Sequence, residues 1–179
     1  KEYLIYKYKA NHQDGVEADD LIKYYMSTNL HDNLILAAID KDLLNSIPGK
    51  HINYNKKTSD NTWEIVEVET SEEDAKLFIC KQMIIGDASD GIAGIAGKGP
   101  AYWNKLREFY KEKLTLPVIL NEYIKHYGEA QGIFEFQKNY RLLHMLDCNE
   151  DFNREVGELP IVPIINVVYK EETKLPEEF

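Results

Sequence analysis

The sequence predicts an α/β chain whose strands lie in its first half and whose second half is helical. Three observations carry this. Runs rich in aromatic and aliphatic residues occur at 3–8 and 33–39. Apolar residues recur at helical spacing within 17–28 and again from 100 onward. Five of the ten glycines crowd into 86–99, where one pattern gives way to the other. Such an order implies an α/β layer with a helical subdomain attached. The length, 179 residues, suits one compact domain or one with a small appendix. An apolar share of 44% excludes wholesale disorder. Cys80 and Cys148 cannot build a disulfide framework, which points to a reducing cytosolic setting. No apolar run approaches the ~20 residues that span a bilayer, so no membrane partner is expected. Opening on Lys1 in a strand-like stretch without a secretory pattern, the chain reads as the back part of something longer.

Taken in order, Tyr3, Leu4, Ile5, Tyr6, Lys7 and Tyr8 predict a strand. A helix follows over 17–28, with Leu21, Ile22, Tyr25 and Met26 on one face and Glu17, Asp19 and Asp20 in the first turn. The continuous apolar run 33–39 reads as a buried parallel strand. A short helix over 41–47 is ended by Pro48-Gly49. Two more strands, 50–54 and 62–68, are joined by a polar turn. Thr70 with Glu73 predicts a capping box for a helix running to about 85. Helices are expected at 100–112, 116–127 and 129–147, then an apolar stretch at 159–169 and an acidic end. Trp63 and Trp103 are expected to pack, and Tyr102, Tyr110, Tyr123 and Tyr127 to form core stripes. His12, His31, His51, His126 and His144 are scattered and read as structural.

The charge balance, 21 Lys and Arg against 31 Asp and Glu, gives −10 and argues against a broad basic nucleic-acid surface. The acids, however, fall in clusters. Glu17 and Asp20 lie three residues apart, about 60° around a helix, so both can face one ligand; a helix dipole alone would also favour them there. Asp40 and Asp42 follow the run 33–39, beyond the carboxyl end of a parallel strand, where ligands bind in open sheets; a helix cap explains one of them. Asp87 and Asp90 stand in Gly86-Asp87-Ala88-Ser89-Asp90-Gly91, which also reads as a polar turn but lacks the ligand spacing of an EF-hand. Without these seven acids the formal charge would be −3. Seven like charges converge only around cations. All-oxygen donors with no His/Cys spacing suit Mg²⁺ or Mn²⁺ rather than zinc, and paired ions serve in-line phosphoryl chemistry.

Gly94-Ile95-Ala96-Gly97-Lys98-Gly99 stands before a predicted helix. Glycines so spaced let the backbone approach a phosphate, and they also simply make a tight turn. A Walker A loop is excluded, since Gly99 follows Lys98 and Ile92 occupies the upstream glycine position. The GxGxxG order is absent, and the flanking strands do not follow a KH module.

The three acidic clusters and the glycine hairpin, in this order, resemble the flap endonuclease / 5′→3′ exonuclease family. That family includes bacteriophage enzymes and the 5′-nuclease domain of bacterial DNA polymerase I. The strings are Val16-Glu17-Ala18-Asp19-Asp20, Asp40-Lys41-Asp42-Leu43-Leu44, and 86–99. The resemblance implies a PIN-like parallel-sheet nuclease core over 1–86, a helix-hairpin-helix subdomain over 87–147 and a C-terminal segment, 148–179, packing on the core. It implies two Mg²⁺ or Mn²⁺ ions, with Glu17, Asp19 and Asp20 serving mainly the first and Asp40, Asp42, Asp87 and Asp90 mainly the second. All seven would be catalytic through those ions. DNA would be gripped at Gly94, Ala96, Gly97, Lys98, Gly99 and Lys105, with a K⁺ on main-chain oxygens of the hairpin. The implied substrate is DNA with a free 5′ end, flap or nick, or an RNA–DNA hybrid, cut to leave a 5′-phosphate in the cytoplasm (of a host cell if the gene is viral). The family's helical arch and its further Asp ligands have no counterpart here, so an N-terminal half is the implied partner. Pro100, Ala101 and Tyr102 replace the basic residues that often follow the hairpin, and Lys98, Lys105 and Arg107 are the compensating cations. Two other readings stand beside this one: a helix-hairpin-helix module that binds DNA without cutting, and a PIN-type ribonuclease.

Overall fold

The computed structural model describes residues 1–28 and 34–146. His31, Cys148, the stretch at 159–169, the acidic end and the expected packing of 148–179 lie outside the described residues.

The chain opens with a helix, α1 (Glu2–Tyr8), where a strand was expected. β-propensity expresses packing on a neighbouring strand, and no strand among the described residues pairs with this segment. Local bonds take over: Ile5 N–H donates to Lys1 O at 3.2 Å, and Lys7 Nζ donates to Tyr3 Oη at 2.7 Å. Lys9, in the left-handed region at φ 56°, ends the helix. Helix α2 (Ala18–Ser27) follows, with Asp19 and Asp20 in its first turn. Strand β1 is Leu36–Ala38, helix α3 is Lys41–Ser46, and strands β2 and β3 are Gly49–Lys57 and Trp63–Thr70.

The sheet order is β1-β2-β3. β1 runs parallel to β2, pairing Leu36 with His51 and Ala38 with Asn53. β2 runs antiparallel to β3, pairing Gly49 with Thr70 and Lys57 with Trp63. The expected parallel sheet is therefore a small mixed one. The reason is the short polar connection at 58–62, closed by Thr58 N–H donating to Thr62 O at 2.9 Å; so short a link permits only a hairpin.

Helix α4 (Glu72–Ile85) is capped by Ser71, whose Oγ accepts from Asp74 N–H at 3.0 Å. This corrects the Thr70/Glu73 box by one residue. Thr70 Oγ1 instead donates to Leu44 O at 2.7 Å, tying β3 to α3. Beyond α4 the glycine segment forms a two-residue ladder, β4 (Gly86–Asp87) with β5 (Ile92–Ala93). Helix α5 (Pro100–Tyr110), one 3₁₀ turn at 111–113, α6 (Leu116–Tyr127) and α7 (Glu129–Leu143) complete the chain. Among the described residues the fold is mixed α/β, with seven α-helices and a three-stranded mixed sheet. No described helix is long and apolar enough to cross a membrane.

Two apolar clusters hold these elements. The smaller gathers Leu36, Ala38, Leu43, Leu44 and Ile47, with Ile22, Met26 and Met145 against it. The larger gathers Met83 and Ile84 of α4, Trp103 and Leu106 of α5, Ile119, Leu120 and Tyr123 of α6, and Phe136 of α7. Tyr102, Tyr110 and Tyr127 pack partly buried against it. Helix α4 touches α3 as well as α5, α6 and α7, and so joins the sheet to the helical half. Trp103 is buried, but Trp63 is 60% exposed, contrary to expectation. It begins the edge strand β3, and Lys57 Nζ lies 5.6 Å from its ring.

The α6–α7 crossing depends on Gly132, where a Cβ would lie 2.6 Å from Ile124 Cα. Backbone cannot yield as a flexible side chain can, so Gly132→Ala is expected to lower unfolding free energy by about 1–3 kcal/mol. Gln131→Ala, on the exposed neighbouring position, should stay within about 0.5 kcal/mol. Urea denaturation of both variants measures the difference.

Candidate metal centre

Three stretches bring acids to one cleft. Glu17, Asp19 and Asp20 come from the start of α2, Asp40 and Asp42 from the start of α3, and Asp87 and Asp90 from the β4–β5 turn. Each position has a local cause. Asp40 caps α3, its Oδ1 accepting from Asp42 N–H at 2.7 Å. That bond aims the first turn of α3, and Asp42 with it, into the cleft. Gly86 and Gly94 allow β4 and β5 to meet under the end of α4. A Cβ on Gly94 would lie 2.2 Å from Ile84 O, and Ile95 N–H donates to that same oxygen at 2.9 Å.

Two adjoining cavities form the cleft. One, of about 340 Å³, is lined by Glu17, Asp19, Asp20, Asp42 and Asp90. The other, of about 730 Å³, is lined by Glu17, Asp19, Asp40, Asp42 and Asp90. Asp87 lies behind this lining, its side chain only 3% exposed. One carboxylate oxygen each of Asp42, Asp87 and Asp90 falls within 4.8 Å of the others. The structure thus brings all seven acids to one region. Asp20 is partly committed elsewhere, since its Oδ1 accepts from Leu146 N–H at 3.0 Å.

Asp87 is the most heavily bonded of them. Its Oδ2 accepts from Lys41 Nζ at 2.8 Å and from Gln82 Nε2 at 3.2 Å. Its Oδ1 accepts from Ser89 N–H at 2.9 Å and from Ser89 Oγ. The Lys41 bond, followed by that of Ser89, holds this carboxyl well below the usual carboxylate range. Asp42 and Asp19 are pushed the other way. Burial raises both; for Asp42 the Lys41 ammonium opposes it while Asp87, Asp40 and Asp90 add to it, and for Asp19 Asp40, Glu17, Asp20 and Asp90 add to it. Mutual repulsion in a partly desolvated cleft is the condition that a hard cation relieves. The close triad contains oxygen donors only. Cys80 is buried, its thiol pushed up to about 12 by burial, and it lines neither cavity. Oxygen donors of this kind could hold a hard divalent cation.

Several residues here were not singled out by sequence reasoning. Gln82, on the last turn of α4, also donates to Asp42 Oδ1 at 2.9 Å and so links two of the acids. Lys41 was quoted only as the spacer between Asp40 and Asp42. Arg141 and His144 line the smaller cavity from the end of α7, and His144 stacks on Tyr140 with centroids 4.8 Å apart. Of the other described histidines, His51 is buried with Nε2 2.6 Å from Ile47 O and no partner on Nδ1 among the described residues, His12 meets Asp14, and His126 packs on Tyr127 with ring centroids 4.5 Å apart.

The glycine-hairpin residues line neither cavity. The segment 94–99 follows the ladder directly and turns where Lys98 N–H donates to Ile95 O at 3.0 Å. Ala96 N–H donates to Tyr127 Oη at 3.0 Å, and Lys98 Nζ sits 3.7 Å above the Tyr102 ring. Tyr102 in turn donates to buried Glu122, which also pairs with Lys125 at 2.8 Å. Lys105 lies on α5, one helical turn beyond Tyr102. No protein-family model matches the chain, and neither a curated protein nor a solved structure matches it significantly.

The opposite perturbations of Asp42 and Asp87 separate their effects on stability. Asp42, raised in the fold, favours folding only while protonated, and that contribution is lost as pH climbs from 3.8 through the raised value. Metal-free Asp42→Asn is therefore expected to melt higher than the parent at pH 7, with the gain vanishing below pH 3.8. Asp87, lowered in the fold, stabilises above 3.8 and loses that contribution as pH falls towards its depressed value. Asp87→Asn should cost about 1–3 kcal/mol at neutral pH, with the penalty shrinking in acid. Melting curves across pH in chelator check both signs.

Proposed function

We propose that the protein is the back part of a metal-dependent 5′→3′ exonuclease or flap endonuclease acting on DNA. The observation that carries this is the convergence of carboxylates from 17–20, 40–42 and 87–90 on one cleft, with Asp42, Asp87 and Asp90 within 4.8 Å. In this reading the sheet, α3 and α4 belong to a PIN-like 5′-nuclease core, and 87–147 to a helix-hairpin-helix subdomain. Glu17, Asp19 and Asp20 hold one ion, and Asp40, Asp42, Asp87 and Asp90 hold the other. When bound, the pair supplies Lewis acidity for in-line hydrolysis of a phosphodiester, leaving a 5′-phosphate. Gln82 fixes the relative position of Asp42 and Asp87 through its two amide bonds. Arg141, lining the same cleft, meets the charge of the scissile phosphate.

Duplex DNA lies along Gly94, Ala96, Gly97, Lys98 and Gly99, with Lys105 on the following helix. Backbone N–H groups and a K⁺ on main-chain oxygens accompany the lysines. The Tyr102 ring beneath Lys98 keeps its ammonium near the hairpin. Contact to phosphates through ions and main-chain dipoles reconciles a formal charge of −10 with a nucleic-acid partner. One observation favours the competing reading of a DNA-binding module that does not cut: Asp87 already accepts four hydrogen bonds.

The two readings part in a nuclease assay on nicked and 5′-flapped duplexes. The assay is run with the chain alone and with the N-terminal half that the resemblance implies. Mg²⁺- or Mn²⁺-dependent release of 5′ fragments is expected, falling about 100-fold or more in Asp42→Asn and Asp87→Asn. Full activity in both variants would reject the nuclease reading. Separately, Lys98→Ala, Lys105→Ala and Arg107→Ala should each lower DNA affinity and reduce the salt slope by about 1. An unchanged slope in all three would remove the hairpin from the DNA interface.

A further inference from the structure

Asp87 presents an unusual arrangement for a ligand. A carboxylate offers about four acceptor sites, and here all four are taken. A cation can reach Asp87 only by displacing a donor. The donors differ in what their loss costs. Ser89 N–H is backbone, fixed by the turn itself. Gln82 is buried, and its amide also serves Asp42. Lys41 is different: its side chain is 57% exposed and belongs to the short helix α3. Its ammonium can return to water once another cation takes its place on the buried carboxylate. It also lines the larger cavity, so a released Nζ stays in the cleft.

We infer that Lys41 is a resident cation of the metal-free centre, a stand-in on Asp87 Oδ2 that an incoming divalent ion displaces. This rests on the proposed metal centre and adds to it a residue that sets cation affinity and selectivity. The ammonium neutralises the buried carboxylate, 2.8 Å from Oδ2, and is steadied by Ser89 Oγ at 3.2 Å. Entry of Mg²⁺ or Mn²⁺ exchanges one positive charge at Oδ2 for two, and Lys41 swings into the 730 Å³ cavity beside Asp40, Asp42 and Asp90. Monovalent ions, which bring no more charge than the ammonium already there, do not displace it. The same movement delivers a cation to the cleft only once it is loaded, where a phosphodiester would meet it.

Two measurements on the 179-residue protein test this. In NMR spectra of the lysine ammonium groups, Lys41 is expected to give a protected signal in chelator. That signal should shift or disappear as Mg²⁺ saturates the site and persist in Na⁺ of the same ionic strength. A Lys41 signal unchanged at Mg²⁺ saturation would overturn the inference while leaving the metal centre standing. In calorimetric titration, Lys41→Met is expected to bind Mn²⁺ about tenfold tighter than the parent, and Lys41→Arg no tighter. Equal or weaker binding by Lys41→Met would also overturn it. Absence of Mn²⁺ binding in the parent and in Lys41→Met alike would sink the metal centre and this inference together. The parent-protein NMR experiment decides the matter if Lys41→Met does not fold.

Discussion

A carboxylate taken out of water must be satisfied, and the junction between the sheet and the helical half is built around one. Asp87 has a side chain 3% exposed and carries its charge there. Its partners come from three places: Lys41 from α3, Gln82 from α4 and Ser89 from the β4–β5 turn. Losing one of them with no other donor or cation in its place leaves a buried charge short of a partner, which is the costly side of hydrogen-bond energetics. The group therefore fixes how α3 approaches α4 and how the glycine segment folds back beneath it. Those constraints in turn set where Asp42 and Asp90 stand.

The glycines act on the same junction from the other side. Gly94 gives up its side chain so that the backbone can pass against Ile84 O. Gly86 adopts φ 77°, with Ile92 O 2.3 Å from where a Cβ would be. The ladder that results is only two residues long on each strand, yet it carries Asp87 on one strand and leads into the hairpin from the other. Acidic cleft and hairpin are thus two products of one tight backbone crossing. A substitution aimed at either reaches both, a coupling that separates this arrangement from acids scattered on a surface.

Much of the candidate site was legible because its residues are short-range patterns: acids in a helix's first turn, acids after an apolar strand, and Asp-Ala-Ser-Asp between glycines. The convergence of those patterns was an expectation about three-dimensional space, since spacing along a chain does not state which segments meet. Residues that act by bridging were invisible for the same reason. Gln82 sits in an ordinary helical stretch and acquires its role only because Asp42 and Asp87 lie on either side of it. Lys41 looked like a spacer, though its neighbours in sequence are not its partner in space. The segment 3–8 shows the opposite failure. Its aromatic residues favour a strand only when another strand is present, and with none beside it among the described residues the backbone closes its own hydrogen bonds as α1. Trp63 belongs to a sheet face that nothing among the described residues covers, so its size was a poor guide to burial.

Crystals of the protein soaked in Mn²⁺, with data collected at the manganese absorption edge, test the central claim most directly. The account predicts anomalous density between Asp42, Asp87 and Asp90, with a second peak towards Glu17, Asp19 and Asp20. Manganese bound elsewhere, with that cleft empty at saturating concentration, would contradict it.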